Sequence, residues 1–239
     1  MNWLVVAVVV AAGAVVVIKI PFTECAANDS RRVFYFKAAC NFPDIRKNCR
    51  VNEKFQSALR RFDEENSRDP NSENGRPREL LYAERLTDWV LKICPDASEP
   101  LRLAARCQHI CRWQSPRENY PMTRPGYLKW RADLKKFHAE KSGAILCEVG
   151  CDEETIRRVQ ELNLKKNFPV DAECRVLEDA LCLVFLEFQF AALAAKSDDE
   201  KMVDALKKSW GKMTEFARAE ALKLNFGERE QKLIAAALK

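Results

Sequence analysis

Residues 171–196 read DAECRVLEDALCLVFLEFQFAALAAK. Wound at about 3.6 residues per turn, Val176, Leu177, Ala180, Leu181, Leu183, Val184, Phe185 and Leu186 occupy every side of a helix. A helix apolar all round is buried by its neighbours. Asp171, just ahead of it, is a short acceptor side chain suited to cap the first turn. The stretch therefore predicts an all-α, single-domain helical bundle with this helix at its centre and with Leu181 and Phe185 nearly fully buried.

The flanks repeat the pattern. Downstream, Ser197 with Glu200 has the spacing of a capping box and opens a last long helix bearing Met202, Leu206, Trp210, Met213 and Phe216. Upstream, Ile156, Val159 and Leu162 mark an amphipathic helix over 152–166 that Pro169 ends. Gly143 and Gly150 bracket a short segment before it, and another helix covers about 127–141. Ser98, with Pro100 behind it, caps a helix through Leu101, Ala104, Ala105, Gln108 and Cys111 that carries His109. Leu80, Leu81, Leu86, Trp89, Val90 and Ile93 predict a helix over 77–94 that stops at Pro95. Before it, EENSRDPNSENGRP (64–77) is rich in turn residues and reads as an exposed loop. The core shows no strand signal and no internal repeat. The helical domain is expected over 51–225, with a linker at 21–50 and a helical tail at 226–239.

Composition agrees with a folded domain: of 239 residues 47% are apolar, 31% charged and only seven are Gly. A net charge of +5, from 40 basic and 35 acidic residues, is too balanced for a dedicated nucleic-acid binder, so any basic site is local. The ten cysteines do not form the compact, loop-rich pattern of a secreted disulfide scaffold. Cys107, Cys174 and Cys182 sit in apolar helical patterns, as buried free thiols do, which points to a reducing compartment. Trp3–Ile18 is almost wholly Val, Ala, Leu and Ile and approaches the roughly 17 to 25 residues of a transmembrane helix. Lys19, Arg31, Arg32 and Lys37 follow it, so an anchor in segment 1–20 would hold the domain on the cytosolic side. The competing expectation is an organelle-targeting segment.

Glu178 and Asp179 stand directly before the apolar run of the central helix. A buried, unpaired carboxylate costs several kcal/mol, so these groups need partners. The chain has two histidines, His109 and His138, both expected on core helices. Histidine and carboxylate from different helices are how bundles build a divalent metal site; hydrogen bonds from the histidines to acids or backbone are the structural alternative. His109, Glu178 and Asp179 are thus the candidate catalytic groups, with one divalent metal ion, or none, as the cofactor. Cys107 with Cys111 and Cys147 with Cys151, each four apart, could pair on helix faces around zinc.

Between the histidines run Arg112, Trp113, Arg117, Tyr120, Arg124, Tyr127, Trp130 and Arg131, with Lys165 and Lys166 on the next helix. Guanidinium groups hold phosphate bidentately and aromatic faces stack on bases. With Gln108, this set is the candidate site for a small phosphorylated ligand. The alternative is that the same residues rivet a long loop.

The strings YAERLTDWV, LRLAARCQHICRW, PRENYPMTRPGYLKWRADLKKFHA and LEDALCLVFLEFQFA resemble the domain of unknown function 4202 family, from about Val51 to Leu224. Some members of that family carry a glutamyl-tRNA synthetase label, but the class I signature strings and any nucleotide-binding α/β pattern are absent here. More distantly, LAARCQHICR is similar to the second motif of the HD superfamily of metal-dependent phosphohydrolases, with Gln108 and His109 at its His and Asp positions. VGCDEETIRRVQELNLKK and DAECRVLEDALCLV resemble the end of the same superfamily's domain, with Asp179 at the last ligand position. That likeness implies an HD-like bundle with Glu84, His109, His138 and Asp179 around the metal. Three expectations follow: a metal-dependent phosphohydrolase acting on a nucleotide or small phosphate ester, a metal-free protein that binds or senses such a ligand, and a membrane-tethered structural adaptor.

Overall fold

A computed structural model describes residues 3–11, 14–21 and 45–238, with side chains from Glu53 to Leu238. The chain forms two compact units, Met1–Phe42 and Pro43–Lys239. In the first, strand β1 (Trp3–Ala11) pairs antiparallel with β2 (Ala14–Pro21), Trp3 facing Pro21 and Ala11 facing Ala14. The apolar segment is therefore a hairpin and not the expected transmembrane helix. Its Val runs explain the difference, because β-branched side chains lose little freedom in extended backbone and more in a helix. Among the described residues no helix is long and apolar enough to cross a membrane. Arg31, Arg32 and Lys37, on which the expected orientation rested, lie outside the described residues.

The second unit is all-α apart from one two-residue ribbon. Helix α1 (Ile45–Asn66) buries Phe55, Ala58 and Phe62. The loop after it contains strands β3 (Ser72–Glu73) and β4 (Arg76–Pro77), joined by Asn74 and Gly75 at φ 52° and 76°. Both turn residues are left-handed, which an Asn-Gly pair adopts readily and other residues resist. Helix α2 (Arg78–Ile93) follows, and the buried side of it carries Glu79, Tyr82, Ala83, Leu86, Trp89 and Val90. Helix α3 (Glu99–Cys107) starts as expected, with the Leu101 N–H donating to Ser98 Oγ at 3.2 Å. It ends before His109. Cys111 turns left-handed at φ 52° and donates its N–H to Asn66 Oδ1 at 3.1 Å, so the chain reverses there.

Helix α4 (Arg124–Glu148) runs straight through Gly143, longer at both ends than predicted. A Cβ at Gly143 would lie 2.3 Å from Gln160 Nε2, so the missing side chain lets α5 (Glu153–Leu164) pack closely. The central helix α6 (Ala172–Val184) is capped as predicted, with Cys174 N–H donating to Asp171 Oδ1 at 3.0 Å. It packs against α2, α3 and α5. Leu177, Ala180, Leu183 and Val184 are buried, whereas Leu181 and Phe185 are only partly so. Those two face a cleft, which a pattern apolar on every side does not reveal. The helix continues as one π-helical turn (Phe185–Gln189) into α7 (Phe190–Ala194).

The expected last long helix is two, α8 (Asp199–Lys212) and α9 (Glu215–Ala221), and Phe216 is 50% exposed. Asp198 and not Ser197 stands at the start of α8, and its side chain makes no cap. Segment 226–239 holds α10 (Glu228–Ala237), which packs on α8 and buries Leu233 and Ala237. The described cysteines are free, and Cys107, Cys111, Cys174 and Cys182 are buried.

Candidate functional site

A cleft of about 680 Å³ opens between α2, the turn after α3, the start of α4 and the α6–π segment. One wall is basic. Arg78, Arg85, Arg112, Arg131, Lys165 and Lys212 line it, against the acidic Glu73, Glu79 and Glu178. Leu181, Phe185, Phe188, Ala192 and Leu193 add apolar lining. The π-helical turn supplies Phe185 and Phe188, and such insertions recur at functional sites because they re-aim side chains that a regular helix would carry elsewhere.

Most of the charges are neutralised in place. Arg85 pairs with Glu73 at 2.6 Å and its guanidinium lies 4.0 Å from the centre of the Phe188 ring. Lys165 and Lys212 both hold Glu178, the latter at 3.0 Å. Burial pushes the Glu178 carboxyl up, but the two ammonium groups outweigh it and leave the group below its usual range. Lys165 reaches inward from a left-handed residue, φ 58°, at the end of α5. Such a conformation costs a non-glycine residue roughly 1 kcal/mol.

Arg112 and Arg131 differ: among the described residues neither has a carboxylate within ion-pair distance. Arg112 donates to His109 Nε2 at 3.3 Å and lies over Trp130, 5.0 Å from the ring centre. Burial lowers its affinity for the proton. A guanidinium can only donate, so His109 Nε2 is an acceptor and its proton sits on Nδ1, which faces Glu79 Oε2 at 3.4 Å. The imidazole also stacks on Tyr82, 4.0 Å between centroids. Burial, then Arg112 and Arg131, push its pKa well below the usual histidine value, so it is neutral.

Glu79 lies against this imidazole. It is 4% exposed, and burial raises its carboxyl to about 7, with Arg112 and Arg78 opposing. Its N–H donates to Asp69 Oδ2 at 3.0 Å, which ties the start of α2 to the preceding loop. The arrangement sets a carboxyl that titrates near neutral pH against a neutral imidazole, beside two guanidiniums that have no carboxylate partner among the described residues.

Behind His109 lies a smaller pocket of about 40 Å³ that Gln108, His138, Leu134 and Lys135 share with His109, Arg112, Arg131, Lys165 and Leu181. His138 Nδ1 donates to the Ile110 carbonyl at 2.9 Å. Burial, then the neighbouring His109, push its pKa down to about 3.

The residues expected from sequence separate into two groups. His109, Arg112, Tyr127, Arg131, Lys165 and Glu178 meet in the cleft, and Gln108 and His138 in the pocket behind. The proposed ligand set does not assemble. Glu84 is turned to Arg76 at 2.8 Å and Arg106 at 3.9 Å. Asp179 accepts the Thr214 N–H at 2.9 Å and the Thr214 hydroxyl at 2.5 Å, fixing the start of α9. Among the described residues no group of three or more His, Cys, Asp or Glu side chains is placed to hold a metal ion. Cys107 and Cys111 turn to the Ala104 carbonyl and to Glu65. Arg117 and Tyr120 rivet the loop: the guanidinium donates to the Tyr120 and Pro121 carbonyls at 2.9 and 2.7 Å, and the phenol to Asp133 at 3.1 Å. Arg124 is exposed at the start of α4 and does not line the cleft.

Sequence reasoning missed Glu79, Tyr82, Arg78, Arg85 and Lys212. For Glu79 the signal was present, because it falls on the same helical stripe as Tyr82, Ala83, Leu86 and Trp89, whereas Glu84 falls off it.

No curated protein and no solved structure matches the chain. The family model described as "Domain of unknown function (DUF4202)" matches residues 56–234. That span contains α2 to α9, the cleft and the pocket behind it, and the chain belongs to this family.

Proposed function

We propose that the cleft binds a small phosphorylated ligand, a nucleotide or another phosphate ester. The observation that carries this reading is the pair Arg112 and Arg131, two guanidiniums without a carboxylate partner among the described residues, in a cleft that apolar side chains also line. Phosphate oxygens satisfy such donors bidentately, and an apolar or aromatic moiety fits against Leu181, Phe185 and Phe188. The HD-type metal-dependent phosphohydrolase is less well supported, because Glu84 and Asp179 are engaged elsewhere and the basic side chains that line the cleft repel a cation.

The Glu79–His109 contact favours a second reading of the same cleft, in which the bound ester is also turned over by general acid–base chemistry. Thermal unfolding of the full chain with inorganic phosphate, pyrophosphate and AMP tests the binding. A ligand at about 100 times its Kd stabilises the fold by about 2.7 kcal/mol. Arg131→Ala should abolish that shift while leaving the unliganded transition in place. Wild-type protein indifferent to every phosphorylated compound, or Arg131→Ala responding as wild type does, refutes the proposal. Phosphate release that Glu79→Gln eliminates would establish turnover; binding without release leaves a sensor.

A further inference from the structure

The pocket behind His109 contains two buried polar groups that the fold leaves unsatisfied. His138 is 4% exposed and Gln108 6%. The Ile110 carbonyl can only accept, so His138 Nδ1 carries the proton and Nε2 is a bare acceptor. Nε2 is buried without a hydrogen-bond partner, and so is Gln108 Oε1. Both side chains line the same cavity of about 40 Å³, which shares His109, Arg112, Arg131, Lys165 and Leu181 with the cleft. That volume holds about two hydroxyl-sized groups.

The chemistry of the lining selects the occupant. A cation would coordinate Nε2, but Arg112, Arg131, Lys135 and Lys165 surround the same space. A fully ionised anion suits those charges and has no proton for Nε2. An apolar group would leave both acceptors unpaired at full desolvation cost. A neutral hydroxyl donates its one proton to Nε2, and its lone pairs accept an N–H of the Gln108 amide once that amide is turned with its nitrogen toward the pocket. Since Arg112 and Arg131 border both spaces, a phosphate on the guanidiniums places the next few bonds of the same molecule at the pocket mouth.

We propose that this pocket is a hydroxyl subsite: the phosphate ester bound in the cleft carries a free hydroxyl that donates to His138 Nε2 beside the Gln108 amide, as a sugar phosphate or a ribonucleotide does. The inference rests on the phosphate-binding reading of the cleft and adds the class of ester. The deoxy analogue of the true ligand then leaves a buried acceptor unpaired, which weakens binding by about 10- to 100-fold.

Titration calorimetry on the full chain tests this with matched pairs: AMP against its 2′,3′-dideoxy form, glycerol 3-phosphate against propyl phosphate, and inorganic phosphate as reference. The expected result is that at least one hydroxylated member binds about 10- to 100-fold more tightly than its partner. The pair that discriminates tells a nucleotide from a simpler polyol phosphate. His138→Asn keeps an amide donor for the Ile110 carbonyl and, being shorter, removes the acceptor from the Nε2 position. It should bring the hydroxylated compound down to the affinity of its deoxy partner and leave inorganic phosphate unchanged. If wild-type protein binds both members of each pair equally, the pocket holds ordered water only and the subsite is refuted, while the phosphate site stands. If it binds no phosphorylated compound, the reading of the cleft fails and the subsite fails with it.

Discussion

Replacing Glu79 by Gln should stabilise the protein at pH 8 and leave it unchanged at pH 5. The carboxyl is 4% exposed, and burial raises its pKa from 4.5 to about 7. Between those values the native protein holds a proton that the unfolded chain has released, so stability falls as pH rises through that window. At about 1.4 kcal/mol per tenfold, the full cost above pH 7 is about 3 kcal/mol. Gln has nearly the same volume and never ionises, so the variant escapes this cost. Urea unfolding of both proteins at pH 5 and pH 8 measures the difference directly, as a shift in midpoint at constant slope. The expected gain is about 2 to 3 kcal/mol at pH 8. A variant less stable than wild type at pH 8 would refute the reasoning, since it would mean that Arg112, Arg78 and the His109 N–H hold the charged carboxylate better than water does. A destabilising charge kept in a cleft is the usual mark of a group retained for binding or chemistry.

Four further outcomes follow from the packing and the charges. His138, with a pKa pushed down to about 3, contributes stability that is complete above about pH 6.5 and is lost as pH falls toward 3; His138→Asn should flatten the acid limb of a stability–pH curve over that range. Asp179→Ala removes both acceptors of Thr214 and should cost about 2 to 3 kcal/mol in urea unfolding, with the affinity for inorganic phosphate unchanged. Phe190 is fully buried whereas Phe185 is only partly so. Phe190→Ala should therefore cost about 3 to 5 kcal/mol and Phe185→Ala clearly less, in the same assay. A chain beginning at residue 43 contains the whole second compact unit and should still unfold in one cooperative transition followed by circular dichroism.

The helical class, the central place of the 171–196 segment and the caps at Ser98 and Asp171 were legible in the sequence. Each depends on neighbours within four residues or on an apolar period, and such information is local. The sequence also marked Arg112, Arg131, Lys165, His109 and His138 as residues whose chemistry demands partners. It did not show which partners they would find. Glu84 and Glu79 are equivalent carboxylates five residues apart on α2, and the helix turn alone sends one to Arg76 and Arg106 and the other against His109. Asp179 and Glu178 are adjacent, yet one caps α9 through Thr214 and the other takes Lys165 and Lys212. The Val-rich segment at the start reads equally as an apolar helix or as paired strands, because a wholly apolar run has no period to distinguish them. Partner choice among like charges, the reversal at Cys111 and the cleft that leaves Leu181 and Phe185 half exposed are decided by tertiary packing. They depend on contacts between segments far apart in the chain, and no local pattern encodes those distances.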